Sequence, residues 1–307
     1  MTANVTITEG TSKLDDGFEV YTKTWKASPE QARVLFLHGF SDQCNNYEDL
    51  FPYLASRGIT IYGFDQRGWG RSVPTKAHRG LTGPTERVLA DVSCMLKPII
   101  SDASASTPVF LMGHSMGGAE ALTYSSLDPD HLLHRIRGTV VLAPLIALHP
   151  STRPYGITVA LGRIAAKLMP RFQMVNHLDA SFLSHNEEKN KQWLDDELNH
   201  DTGTLEGMGG MLDRGAALEE GQYRLEEGKH EGGKTRILVV HGNADRINEY
   251  SVSKKWTEQY CAAQDKRFWE LDGWYHNLHC EPELEMFRAE IADWMLSRSG
   301  NLKGQTL

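Results

Sequence analysis

No run in the 307-residue chain is long and apolar enough to read as a membrane span. The opening stretch MTANVTITEGTSKLDDG also carries no apolar core of the kind a secretory signal needs. Cysteine is scarce. Cys44, Cys94, Cys261 and Cys280 stand far apart, with none of the paired spacings of a zinc site or a disulfide framework. Four reduced thiols, no metal and a cytoplasmic setting are therefore expected, with any membrane contact peripheral. Positive charge is in short supply too: 32 Lys plus Arg stand against 40 Asp plus Glu, a formal net charge of −8. No basic cluster offsets that balance locally, which argues against a nucleic-acid partner. Neither repeats nor low-complexity tracts occur. What remains is an ordinary globular mixture, 40% hydrophobic and 23% charged, on a chain long enough for a sizeable core.

Short apolar runs alternate with helical patterns. VTITEG and FEVYTKTW alternate in period two and read as an antiparallel pair at a sheet edge. RVLFL, ITIYGFD, VFLMGH, TVVLA, RILVVHG and RFWEL read as further strands, the apolar ones buried on both faces. Between them, NNYEDLFPYLASRG places Tyr47, Leu50, Phe51 and Leu54 on one helical face, with Gly58 as its stop. TERVLADVSCMLKPI and the terminal EPELEMFRAEIADWMLSRSG carry the same spacing through Val88, Val92, Met95 and Ile99, and through Leu284, Phe287, Ile291 and Met295. This alternation predicts a mostly parallel central sheet with helices on both faces. Residues 149–213 break the alternation. They hold no convincing strand, only the helical patterns TVALGRIAAKLMP and TLEGMGGMLDRGAAL around the polar SHNEEKNKQWLDDELNHD. The expectation is a helical cap over 149–213, inserted between core segments 1–148 and 214–307, because a structureless loop of that length is improbable.

The stretch VFLMGHSMGGAEAL matches G-x-S-x-G at Gly113, His114, Ser115, Met116 and Gly117, with an apolar strand before it and a helix after it. A sharp strand-to-helix turn lifts a serine into an exposed position only when its neighbours have little bulk. Serine is a weak nucleophile unless a base takes its proton and a carboxylate orients that base. Asp245 lies in HGNADRINEY, after one predicted strand, and His276 lies in LDGWYHNLHCEPE, between the last strand and the last helix. The order Ser115, Asp245, His276 is the one an α/β-hydrolase arrangement requires. His279 is the rival base three residues on, and the bland reading of Asp245 is a turn residue in Asn-Ala-Asp. An oxyanion needs donors. The backbone N–H of Met116, at the helix start, is one candidate and that of Phe40, in FLHGF, is the other.

LHGF, FDQRGWGRS, GHSMGG, HGNADRI and YHNLHCEPE occur in this order between about Arg33 and Trp294. In these motifs the chain resembles the monoacylglycerol lipase branch of the serine hydrolases, its fungal members in particular. The resemblance implies an α/β-hydrolase fold with an inserted cap, and cleavage of monoacylglycerol to glycerol and free fatty acid without metal or cofactor. It implies a cytoplasmic enzyme, either free in the cytosol or associated with lipid droplets or membrane surfaces. Ser115, Asp245 and His276 become the triad, Phe40 and Met116 the oxyanion donors, and Asp42 and His279 the groups holding the glycerol end. Animal members usually carry Glu at Asp42 and Arg at Asn46, so the glycerol contacts depart from that pattern.

Two other readings have footholds. A lysophospholipase or general carboxylesterase uses the same machinery, and Trp69, Trp274 and Tyr275 are aromatics suited to a cationic head group. GKHEGGKT, from Gly228 to Thr235, fits the phosphate-loop pattern G-x-x-x-x-G-K-[ST], but a strand follows it where a helix is required. It reads as a connection into the core, with no nucleotide.

Overall fold

The structure is a computed structural model that describes residues 3–103, 107–153 and 155–300. Strand β1 (Asn4–Lys13) turns back at Gly17 into β2 (Glu19–Ser28), antiparallel from Asn4 opposite Ser28 to Lys13 opposite Glu19. β3 (Ala32–Leu37) follows, buried at every position as its unbroken apolar run requires. The helix expected across residues 47–58 is divided. A 3-10 turn over Cys44–Tyr47 precedes α1 (Phe51–Ser56), because Pro52 suits the first turn of a helix and cannot donate inside a longer one. The four residues placed on its inner face are all buried. Then come β4 (Ile59–Phe64), α2 (Thr85–Asp102), β5 (Val109–His114), α3 (Met116–Leu127) and β6 (Ile136–Leu142).

The following segment contains α4 (Gly156–Leu168), β7 (Gln173–Val175), α5 (Glu187–Asp195), β8 (Thr202–Thr204) and α6 (Leu205–Glu219). Two features depart from expectation. β7 and β8 form an antiparallel pair of three residues each, too short to show a period in sequence. The polar stretch between the helical patterns is itself partly helical: Asn186 caps α5 by accepting from Lys189 N–H, and Trp193 provides its buried contact. α6 runs past residue 213 to Glu219.

The chain returns through β9 (Arg236–Gly242), α7 (Tyr250–Gln259), β10 (Asp265–Leu271) and α8 (Leu284–Ser297). The large sheet has the order β1-β2-β4-β3-β5-β6-β9-β10 and is parallel from β4 onward. Alternate strand residues face opposite layers. Leu35, Leu111, Val141 and Val239 pack with Val92, Leu122 and Trp256 on one side. Phe36, Phe110, Val140 and Leu238 pack with Leu54, Phe287 and Ile291 on the other. GKHEGGKT closes a turn leading into β9. Thr235 Oγ1 accepts from Lys229 N–H at 2.9 Å and donates to the Glu226 carbonyl at 2.7 Å.

Candidate active site

At the end of β5 the chain turns within one residue into α3, and Ser115 occupies that turn at φ 54° and ψ −115°. For a residue with a Cβ this conformation costs on the order of 1–3 kcal/mol. Its flanks explain how the turn fits. A Cβ on Gly113 would come within 2.2 Å of the Gly117 carbonyl oxygen, and one on Gly117 within 2.2 Å of the Leu37 oxygen. The elbow is pinned to the next strand by Ser115 N–H, which donates to Leu142 O at 2.9 Å.

Loops from the same end of the sheet bring two side chains to this serine. His276, after β10, has Nε2 2.9 Å from Ser115 Oγ and Nδ1 2.8 Å from Asp245 Oδ2. Asp245, after β9, accepts the N–H groups of Ile247 and Asn248 on Oδ1, at 2.7 and 3.0 Å, while His241 Nε2 lies 3.0 Å from Oδ2. Burial pushes the Asp245 carboxyl up, but the His276 imidazole and the hydrogen bonds from His241 and His276 outweigh it. The group is held well below the usual carboxylate range. An ionised acid, a histidine and a serine thus stand in line. This arrangement can move a proton from the serine to the histidine.

The amide N–H groups of Phe40 and Met116 have no acceptor among the described residues. The Phe40 loop is held rigidly. His38 Nε2 accepts from Gln66 N–H at 2.8 Å, which leaves Nδ1–H to donate to the Gly39 carbonyl at 2.8 Å. Gln66 Nε2 donates back to the His38 carbonyl.

Asp42 lines the same cavity as Ser115. Its oxygens accept Gly39 N–H, Gln43 N–H, Asn46 Nδ2–H and Tyr47 O–H, which fills a carboxylate's usual acceptor positions. Asn46 also donates to Asn199 Oδ1 and Gln43 to Asp196, tying this loop to the segment after α5. His279 is fully buried one layer back, stacked on Tyr47 at 4.1 Å and edge-on to His114 at 5.2 Å. Burial lowers its pKa, so the ring is neutral. Sequence reasoning missed Asn248, whose Nδ2 lies 3.4 Å from Ser115 Oγ. It also missed His114, 2.8 Å from the Tyr47 hydroxyl. Both sit within three residues of a residue singled out, and nothing in their local pattern separates them from turn or strand-end residues.

The cavity above Ser115 has a volume of about 320 Å³. Leu145, Leu148, Leu178, Phe182, Met208 and Ile247 give it apolar walls, with Asp42 and Asn277 among its polar ones. Its lining includes none of Trp69, Trp274 and Tyr275. Trp69 is buried against Phe40 and His200, Trp274 packs on Phe287, and Tyr275 lies tilted against His185.

A family model described as Hydrolase_4 (Serine aminopeptidase, S33) matches residues 28–283. The chain is 31% identical to the "Putative monoglyceride lipase" of Schizosaccharomyces pombe, with 92% of this chain and 72% of that protein aligned. It is 26% identical to the human monoglyceride lipase, over 92% and 89% of the two chains. The crystal structure of a soluble variant of the Saccharomyces cerevisiae monoglyceride lipase, in complex with a substrate analogue, superposes with a TM-score of 0.85. The identity there is 23%, with 98% of this chain and 97% of that one covered. The Paleococcus ferrophilus monoacylglycerol lipase gives 0.73 at 26% identity, with 96% and 99% covered. Matched by that model over most of its length, and by these relatives nearly end to end, the chain belongs to the monoglyceride lipases of the α/β-hydrolase superfamily.

Proposed function

We propose that the chain hydrolyses monoacylglycerols to glycerol and free fatty acid through an acyl-enzyme on Ser115. The observation that carries this reading is the Ser115–His276–Asp245 line, at 2.9 and 2.8 Å, opening into an apolar cavity in a member of this family. His276 takes the Ser115 proton as Oγ attacks the ester carbonyl, then gives it to the departing glycerol oxygen. Asp245 holds the imidazole and stabilises its charged form. The N–H groups of Phe40 and Met116 receive the oxyanion. Water then attacks the acyl-enzyme by the same route and releases the fatty acid.

At the glycerol end, Asp42 takes a positioning role. Its acceptor positions are engaged within the chain, so glycerol contact requires one of those bonds to give way. His279 acts there through Tyr47 and His114.

The segment over residues 149–213 serves as a lid, and its helix α4 as a contact with lipid surfaces. α4 has no buried residue, and Leu161, Ile164 and Leu168 are 61%, 60% and 79% exposed. Arg163 and Lys167 are the basic residues of the same helix, Arg163 paired with Asp213. Among the described residues no helix is long and apolar enough to cross a membrane, so this contact is peripheral. A cytoplasmic enzyme working at membrane or lipid-droplet surfaces fits these features.

The test is a panel of mono-, di- and triacylglycerols and lysophospholipids. Monoacylglycerols are expected to be hydrolysed fastest. Equal or faster turnover of lysophosphatidylcholine overturns the substrate reading while leaving the serine-hydrolase chemistry standing.

A further inference from the structure

Asn248 stands where three loops of the active edge meet. Its backbone N–H donates to Asp245 Oδ1 at 3.0 Å. The carboxamide nitrogen donates to the carbonyl of Ala143, just past β6, at 2.8 Å, and lies 3.4 Å from Ser115 Oγ. The orientation of this amide is dictated by its neighbours: the Ala143 carbonyl can only accept, so the nitrogen faces it. An amide nitrogen carries two hydrogens. With one on Ala143, the second is available to Ser115 Oγ. The amide oxygen is buried and has no hydrogen-bond partner among the described residues. An apolar side chain of the same shape would leave no amide oxygen unpaired, though it would give up the bond to the Ala143 carbonyl. The fold therefore retains an imperfectly satisfied amide at the one place where its N–H reaches the nucleophile.

We propose that Asn248 is a further catalytic residue, whose amide N–H hydrogen-bonds Ser115 Oγ and acts chiefly when that oxygen leaves the acyl-enzyme. The inference rests on the reading of Ser115 as the nucleophile. In the free enzyme Oγ is a hydroxyl oxygen, a good acceptor, and the bond to Asn248 is already made. As Oγ becomes an ester oxygen it turns into a poor acceptor, so the bond weakens through acylation and gives that step no advantage. Deacylation runs the other way. Water adds to the acyl carbon and gives its proton to His276 Nε2. The C–Oγ bond then breaks, its electron pair goes to Oγ, and Oγ takes the proton from His276 as the fatty acid departs. Negative charge grows on Oγ during that cleavage, and the Asn248 N–H strengthens its hold on it. Only an interaction stronger in the transition state than in the preceding state accelerates a step, and deacylation alone meets that condition.

The experiment compares the wild type with Asn248→Leu and Asn248→Asp, using a p-nitrophenyl acyl ester in stopped flow. Thermal stability and fluorophosphonate labelling of Ser115 are measured alongside. The expected result for Asn248→Leu is a fall of about tenfold or more in kcat, with KM falling in parallel. kcat/KM stays within about threefold, and a larger p-nitrophenol burst shows acyl-enzyme accumulating. Asn248→Asp, which puts an acceptor in place of the donor, is expected to slow deacylation at least as much and supplies the answer if the leucine variant fails to fold. Loss of kcat and kcat/KM together without a burst overturns the proposal and leaves Asn248 a structural brace. So does unchanged turnover. Absence of fluorophosphonate labelling in the wild type would instead remove the nucleophile reading itself.

Discussion

Two histidines three residues apart, His276 and His279, compete for the base in the sequence, where position after the last strand favours His276, and the structure separates them by depth. His276 reaches both Ser115 and Asp245, whereas His279 is a neutral ring behind Tyr47. Replacing His276 with Ala is therefore expected to lower kcat by roughly 10⁴–10⁶-fold, because Ser115 then has no proton acceptor. His279→Ala should cost far less and act mainly on KM for glycerol esters, leaving p-nitrophenyl esters nearly untouched. Steady-state kinetics of both variants on both substrates decides, and the opposite ranking would exchange the two roles. Ser115 and Asp245 could be picked from the sequence because each follows a strand whose apolar run is unbroken, and His276 because it stands between the last strand and the last helix. The saturation of Asp42 could not be read there. Its partners Gly39, Gln43, Asn46 and Tyr47 are near in sequence, but only the backbone path aims all four donors at one carboxylate.

Elements buried on both faces announce themselves, and elements resting on a surface do not. β3, β5, β6 and β9 are buried throughout and were legible as runs. α5 hid in a charged stretch because only Asn190 and Trp193 of its nine residues are buried. One contact between elements has a pH signature. Arg214 on α6 donates to Glu120 on α3 at 3.1 Å, both side chains buried, so this pair fastens α6 to the helix that begins directly after Ser115. Burial raises the Glu120 carboxyl to about 7, with Arg214 opposing the rise. In the unfolded chain the same group titrates near 4.5. The folded protein thus binds this proton more tightly, and the associated stability is complete below the unfolded value and lost as pH rises through about 7. Glu120→Gln removes the titration. The melting temperature of the wild type relative to this variant is expected to fall between about pH 5 and about pH 8. A difference that stays flat, or rises, over that window would refute the assignment.

On the scale of the whole molecule, exposed apolar side chains gather on the segment that lends Leu178, Phe182 and Met208 to the cavity above Ser115. Ile157, Leu161, Ile164 and Leu168 on α4 are joined by Met169 and Phe172 beyond it, all more than half exposed. Monomeric proteins rarely leave such a patch uncovered unless something binds there. An apolar arc of this kind either packs on the core or faces lipid. The exposure of α4 favours the second, since a helix with no buried residue contributes little to folding. Replacing Leu161 and Ile164 together with Ser should therefore leave thermal stability within about 0.5 kcal/mol per site, as for ordinary surface positions. Partial insertion of each side chain into a bilayer is worth on the order of 1 kcal/mol, so vesicle affinity should fall roughly 10- to 100-fold. Hydrolysis of monoolein presented in vesicles should fall with it, while a soluble short-chain ester is turned over as before. The lysine and arginine beside the arc add a second expectation: binding to anionic vesicles weakens with added salt, and binding to neutral ones changes little. A large loss of melting temperature with unchanged vesicle binding would mean that these side chains hold the fold together, and the lipid-docking role of α4 would be abandoned.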